Sequence, residues 1–247
     1  MSIQLVDCHI HLDLYKDPFT ILDSAQKSNI SLVAVTNAPF LFEPCKKLTS
    51  QRKNCWTALG MHPELVPQYG KQLQLFKELL CSTIFVGEIG LDYISENNKD
   101  RQVSQRIIFE EIINYCSQEG NKILSIHSRG AAADVISIIG HNFPGKIIMH
   151  WFSGTTAQLE QAIDAGFYFS INTAMINSKN GKNIISRIPI DRILLESDGP
   201  FIQINARDVT SNDISLIVEA LAEMRKTDYH ETCKTISKNF DKITKSQ

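Results

Sequence analysis

No apolar run in this 247-residue chain approaches the roughly 18 residues that a membrane span requires. Its first residues carry neither a basic n-region nor an apolar h-region, so a soluble, unexported, cytoplasmic protein is expected. The six cysteines (Cys8, Cys45, Cys55, Cys81, Cys116 and Cys233) form no C-x-x-C pair, which argues against a zinc ribbon or a disulfide framework and for reduced, mostly buried thiols. G-x-G-x-x-G and P-loop sequences are absent, which removes the dinucleotide-binding and Walker routes to phosphate. Positive charge is not in excess either: 25 Lys and Arg face 27 Asp and Glu, for a net charge of -2. Proteins that track long duplexes use a basic surface to neutralise phosphates, so a nucleic-acid substrate would here be held locally, by metal ions and a few cationic side chains. Nor does any low-complexity linker interrupt the chain. With 43% hydrophobic residues, residues 1–247 are expected to form one domain around one large core.

What is present reads as eight buried strands alternating with helical stretches. The strands are expected at Leu5–His9, Ser31–Val35, Trp56–Gly60, Ile84–Gly87, Ile123–Ile126, Ile147–Met149, Phe167–Ile171 and Arg192–Leu195. Pro18 suits a first helical turn, Val103 to Gln118 carries an apolar stripe that Gly120 stops, and a helix follows near Ala131 to Ile139. Thr155 with Gln158 makes a capping box, for a helix that Gly166 ends. Two further helices, about Ile214 to Arg225 and Tyr229 to Phe240, close the chain. By count this is a (β/α)8 TIM barrel, with a doubly wound open sheet as the alternative.

Active sites of such barrels lie at the C-terminal ends of the strands. There the chain places His9 and His11, Glu88, His127, His150 and Asp198. In an extended strand His9 and His11 share a face, being two residues apart. The six residues supply three or more ligands each to two divalent ions, Glu88 being able to bridge through its two oxygens. Mixed imidazole and carboxylate donors accept Mg, Mn or Zn. His62 stands on the same rim and is read as a substrate contact, whereas His141 and His230 fall in helical or loop stretches and are read as solvated.

The segments Asp7–Asp13 (DCHIHLD), Gly60–Pro63 (GMHP), Gly87–Tyr93 (GEIGLDY), Ile126–Arg129 (IHSR), His150–Gly154 (HWFSG) and Glu196–Pro200 (ESDGP) resemble, in order, the motifs of the TatD family of metal-dependent hydrolases. The resemblance implies an amidohydrolase-type barrel with two divalent metals and phosphodiester hydrolysis, usually as a deoxyribonuclease acting from a 3′ end. It implies that His9, His11, Glu88 and Asp198 hold one metal and that Glu88, His127 and His150 hold the other. Two departures bear on substrate: Gly130 follows IHSR where the family commonly has an acidic residue, and Ile202–Asn205 (IQIN) replaces an arginine-bearing segment. The wording around Ile123–Arg129, His150–Thr155 and Glu196–Phe201 is similar to the QatD type of TatD-like protein, found in Qat anti-phage systems. That likeness implies antiviral defence and partners within a Qat cassette.

Metal ions would activate a water and polarise a phosphoryl oxygen, with Glu88 and Asp198 as the catalytic carboxylates and Asp198 serving as ligand and proton acceptor. An amidohydrolase or nucleobase deaminase on the same barrel is the enzymatic rival, and a non-cleaving binding component of a defence complex the other. For phosphate capture the loop after strand seven is expected to matter. Ser178 can cap a helix running toward Arg187, which brings Lys179 and Lys182 to the rim; Lys179 is read as a phosphate contact, with Arg129 as a second.

Overall fold

The computed structural model describes residues 3–96 and 98–245. In chain order it begins with β1 (Leu5–Ile10), α1 (Pro18–Lys27), β2 (Ile30–Ala34), α2 (Phe42–Thr49), β3 (Cys55–Thr57) and β4 (Leu59–Met61). Then come α3 (Val66–Tyr69), α4 (Leu73–Leu79), β5 (Phe85–Gly90), α5 (Lys99–Glu119), β6 (Ile123–His127), α6 (Ala132–Ile139) and β7 (Lys146–His150). The last part holds α7 (Thr156–Asp164), β8 (Tyr168–Ile171), α8 (Thr173–Asn177), α9 (Lys179–Arg187), β9 (Ile193–Leu195), the hairpin of β10 (Gln203–Ile204) and β11 (Arg207–Asp208), α10 (Ile214–Arg225) and α11 (Tyr229–Lys245). Among the described residues no helix is long and apolar enough to cross a membrane.

The chain divides into two compact units. One comprises the described residues up to Ala34, Cys45–Trp56 and Phe169 onward; the other comprises Val35–Pro44 and Thr57–Tyr168. In the first unit the strands run in the order β3-β2-β1-β9-β8. β1 is parallel to β2, with Asp7 opposite Leu32, and to β9, with Asp7 opposite Leu195. In the second the order is β7-β6-β5-β4, again parallel, with Gly90 opposite His127. Every residue of β1, β2 and β5 is buried, the pattern of parallel strands covered on both faces.

The expected third strand, Trp56–Gly60, is two strands with Ala58 between them. Its physical cause is Thr36, which follows β2: the Thr36 hydroxyl donates to the Ala58 carbonyl (2.9 Å) and accepts from the Gly60 amide (3.0 Å). A side chain thus takes the polar groups that a ladder would otherwise pair. The Thr36 amide donates to the Gly87 carbonyl and its own carbonyl accepts from the Glu88 amide, both at 3.1 Å, so the segment after β2 is laced onto β5.

Helix ends follow local chemistry. Asp17 caps α1 by accepting from the Phe19 and Thr20 amides, with Pro18 at the first position. The helix expected from Val103 begins earlier, at Lys99, because Asn98 accepts from the Asp100 and Arg101 amides; Gly120, at φ 68°, ends it as expected. The Thr155–Gln158 capping box is present, and Gly166 lies just beyond α7 at φ 83°. Helix α11 runs past the expected Phe240 to Lys245. The β10–β11 hairpin was not expected from the sequence. Asn205 and Ala206 turn it with φ of 51° and 61°, the doubly left-handed geometry of a type I′ turn.

Candidate metal centre

In the first unit Asp7, His9 and His11 recur at every second position, the period of an extended strand. β1 is tied to the segment after β9 by backbone bonds. The Asp198 amide donates to the His9 carbonyl (3.0 Å), and the His11 amide to the Gly199 carbonyl (2.9 Å). Asp198 itself stands at φ 50°, a left-handed conformation that aspartate tolerates better than bulkier residues. These bonds bring three donors together. His9 Nε2 lies 3.3 Å from His11 Nε2, and Asp198 Oδ1 lies 3.8 Å and 3.6 Å from those two nitrogens. All three side chains are buried. Donors held ~2.1 Å from one cation stand ~3.0–3.4 Å apart, so this spacing and donor set fit a divalent ion after a small contraction.

Asp7 underlies the cluster. One carboxylate oxygen accepts from the Ser197 amide (2.9 Å) and the His9 amide (3.3 Å), and the other from the Ser211 hydroxyl (2.7 Å). Burial pushes its carboxyl up to about 6, against the pull of those donors. Glu196, also fully buried, accepts from the Asn172 side-chain amide (2.9 Å) and from the Ser170 hydroxyl.

The second unit gathers a cluster around Glu88, which lies within β5 rather than after it. Glu88 Oε1 is 2.6 Å from His127 Nδ1, 3.5 Å from His62 Nε2 and 3.7 Å from His150 Nε2. His62, Glu88 and His127 together form a group able to hold an ion. His62, expected as a substrate contact, is therefore placed among candidate ligands. Its Nδ1 accepts from the Glu64 amide (3.2 Å), which turns Nε2 toward Glu88.

The far edge of His127 meets Asp92: Nε2 is 2.8 Å from Asp92 Oδ2. Asp92 Oδ1 accepts from the Ile94 (2.9 Å) and Ser95 (2.7 Å) amides, so this fully buried carboxylate is fixed in place. Burial alone would raise the Asp92 carboxyl, but the His127 ring and the two amides outweigh it and hold the group down at about 2. For His127 burial disfavours the charged ring, yet Glu88 and Asp92 on either side lift it to about 10. A place that favours positive charge so strongly is one a cation would also favour.

Asp7 and Asp92 are the residues that sequence reasoning left without a role. For Asp7 the signal was there, since it stands two and four residues before His9 and His11; Asp92 lies beyond the end of β5 and had no such spacing to mark it. Of the expected substrate contacts, Arg129 is exposed and reaches Ser95 Oγ through Nη1 (3.2 Å). Lys179 is exposed at the first position of α9, whose cap is Ser178 accepting from the Gly181 amide (2.9 Å). Gly130 has φ 68°, and a β-carbon there would come within 2.8 Å of Ile94, which gives the missing acidic residue a steric reason. His141 and His230 are exposed, as read.

Comparison with known proteins gives concordant matches. Human deoxyribonuclease TATDN3 is 26% identical, over 98% of this chain and 95% of its own. A protein described as an uncharacterized metal-dependent hydrolase, YabD of Bacillus subtilis, is 24% identical over 97% and 98%. The crystal structure of YJJV, a TatD homolog from Escherichia coli, superposes with a TM-score of 0.86 at 20% identity, covering 95% of both chains. That likeness carries the fold, the (β/α)8 barrel class expected from the strand count. The family model described as "TatD related DNase" matches residues 6–245, and the chain accordingly belongs to this family of metal-dependent hydrolases.

Proposed function

We propose that the protein is a divalent-metal-dependent phosphodiesterase that removes nucleotides from the 3′ end of single-stranded DNA. The observation that carries this reading is the pair of donor clusters: His9, His11 and Asp198 with mutual separations of 3.3–3.8 Å, and Glu88 with three imidazoles within 3.7 Å. In this reading His9, His11 and Asp198 hold one ion, and Glu88, His127 and His150 the other. When bound, such ions polarise a phosphoryl oxygen and acidify a water. The side chains do the rest. Asp198 accepts the proton of the attacking water, and Asp92 fixes His127 so that its Nδ1 faces Glu88. Glu88 brings negative charge among three imidazoles, which compensates the cation there. DNA as the substrate is supported by the family and by human TATDN3, which is described as a deoxyribonuclease.

Membership of a Qat-type anti-phage cassette, with protein partners in the cytoplasm, is a finer reading supported by the wording of three motifs. Hydrolysis of a cyclic amide or deamination of a nucleobase is the rival chemistry, and binding without cleavage the other. One experiment tests the nuclease reading against both: metal analysis of the purified protein, followed by incubation with 3′-labelled and 5′-labelled single-stranded DNA. Two ions per chain and early release of the 3′ label are expected. Bound metal with intact DNA would overturn the nuclease reading in favour of the amide rival or of pure binding.

A further inference from the structure

The first unit's donor cluster has an apolar fringe that metal binding does not require. Three residues after His11, the Leu14 amide donates to the His11 carbonyl (3.1 Å); three residues after Asp198, the Phe201 amide donates to the Asp198 carbonyl (3.0 Å). Each ligand is thus followed by a tight turn that ends in an exposed apolar side chain, Leu14 at 46% and Phe201 at 60%. Phe201 stands edge-to-face with His11, ring centroids 4.8 Å apart and planes at 87°. Its backbone is fixed on both sides, since the next residue, Ile202, is buried and its carbonyl accepts from the Val209 amide (2.9 Å). The ring is held out against water by a pinned chain, beside an imidazole that faces the cluster.

A single exposed phenylalanine is ordinary on a protein surface. Contact with a candidate ligand, a fixed backbone and a matching turn at Leu14 together distinguish this one. Single-stranded nucleic acid is held by charge along its backbone and by aromatic rings on which bases stack, tolerantly of sequence because every base has a π-face. Net positive charge is what this chain lacks. We propose that Phe201 is a substrate-positioning residue, the platform on which the nucleobase next to the scissile phosphodiester stacks. This rests on the phosphodiesterase reading above.

The test uses the metal-loaded enzyme and two oligodeoxynucleotides of equal charge, one with a normal 3′-terminal nucleotide and one with an abasic terminus. The parent should show a KM about tenfold lower for the base-bearing end. In Phe201→Ala the two KM values should converge, and Phe201→Trp should restore the gap. Retention of the parent's ratio by Phe201→Ala, or an equal rise on both substrates, would overturn the platform. No turnover of either substrate by the metal-loaded parent would instead overturn the phosphodiesterase reading, and the platform with it.

Discussion

His127 lies between two carboxylates, and the two bonds ask different things of it. A neutral imidazole has one N–H and one lone pair, and the hydrogen bond made by one nitrogen decides what the other can do. With Asp92 ionised and fully buried, Nε2 keeps its hydrogen; Nδ1, which shares a hydrogen with Glu88 in the ion-free site, is the nitrogen that would give it up and offer its lone pair to a cation. Replacing Asp92 by Asn should therefore weaken metal affinity by about 10–100-fold, read by competitive chelator titration, while far-ultraviolet circular dichroism stays that of the parent. Unchanged affinity would mean that Asp92 serves only the Ile94 and Ser95 turn. Glu88→Gln should go further, losing activity with the fold retained, because an amide cannot compensate a cation among imidazoles. Near-parental turnover of that variant would sink the metal reading of this cluster. At this scale the sequence was most informative where a clustered side chain lies in or at the end of a strand, as with His9, Glu88, His127 and His150. Asp92 was hidden because its partner is 35 residues away. What brings them together is the ladder's continuation past β5 and β6, where the Leu91 amide donates to the His127 carbonyl (3.1 Å).

Periodicity located the elements, but it did not show where a side chain would substitute for a ladder partner. The apolar run Trp56–Gly60 reads as continuous strand, and only the fold brings the Thr36 hydroxyl against Ala58 and Gly60. Thr36 is fully buried, so Thr36→Val should leave the Ala58 carbonyl and the Gly60 amide unpaired at nearly constant volume. A loss of about 1–3 kcal/mol is expected, measurable as a lower urea midpoint. A second element-scale device sits ahead of α10. Asp213 accepts from the Thr210 amide (2.9 Å) and from Arg207 Nη1 (2.8 Å). Burial alone would raise its carboxyl, but Arg207 and Thr210 outweigh that and hold it below the usual carboxylate range. A carboxyl depressed on folding contributes stability above its unfolded pKa of about 3.9 and loses that contribution as pH falls through the lower folded value. Asp213→Asn should thus be less stable than the parent at pH 7, by about 1 kcal/mol for the lost ion pair with Arg207, and the gap should narrow at pH 3. A gap that is the same at both pH values would assign the loss to packing rather than to charge.

For the molecule as a whole the decisive quantity is net charge. At -2 it offers no general attraction to a duplex, so cleavage should favour single-stranded ends. Efficient nicking of a closed circular duplex at physiological salt would contradict this. What attraction there is must come from a few cations, and Lys179 is placed to be one. It is exposed at the start of α9, at a helix N-terminus, where backbone amides and the helix dipole already favour an anion. A contact that positions a phosphate without touching the reacting atoms should show in KM rather than in metal content. Each phosphate contact on a single strand contributes roughly -0.7 to the slope of log affinity against log salt, through the counterion it releases. Lys179→Ala should raise KM and flatten the salt dependence of kcat/KM by about that amount, with metal content unchanged. Kinetics at four ionic strengths with a short single-stranded oligonucleotide measure the slope directly. A variant whose KM and slope match the parent's would leave Lys179 as a solvated surface residue and shift phosphate capture to Arg129, whose guanidinium at present reaches only as far as Ser95 among the bonds described.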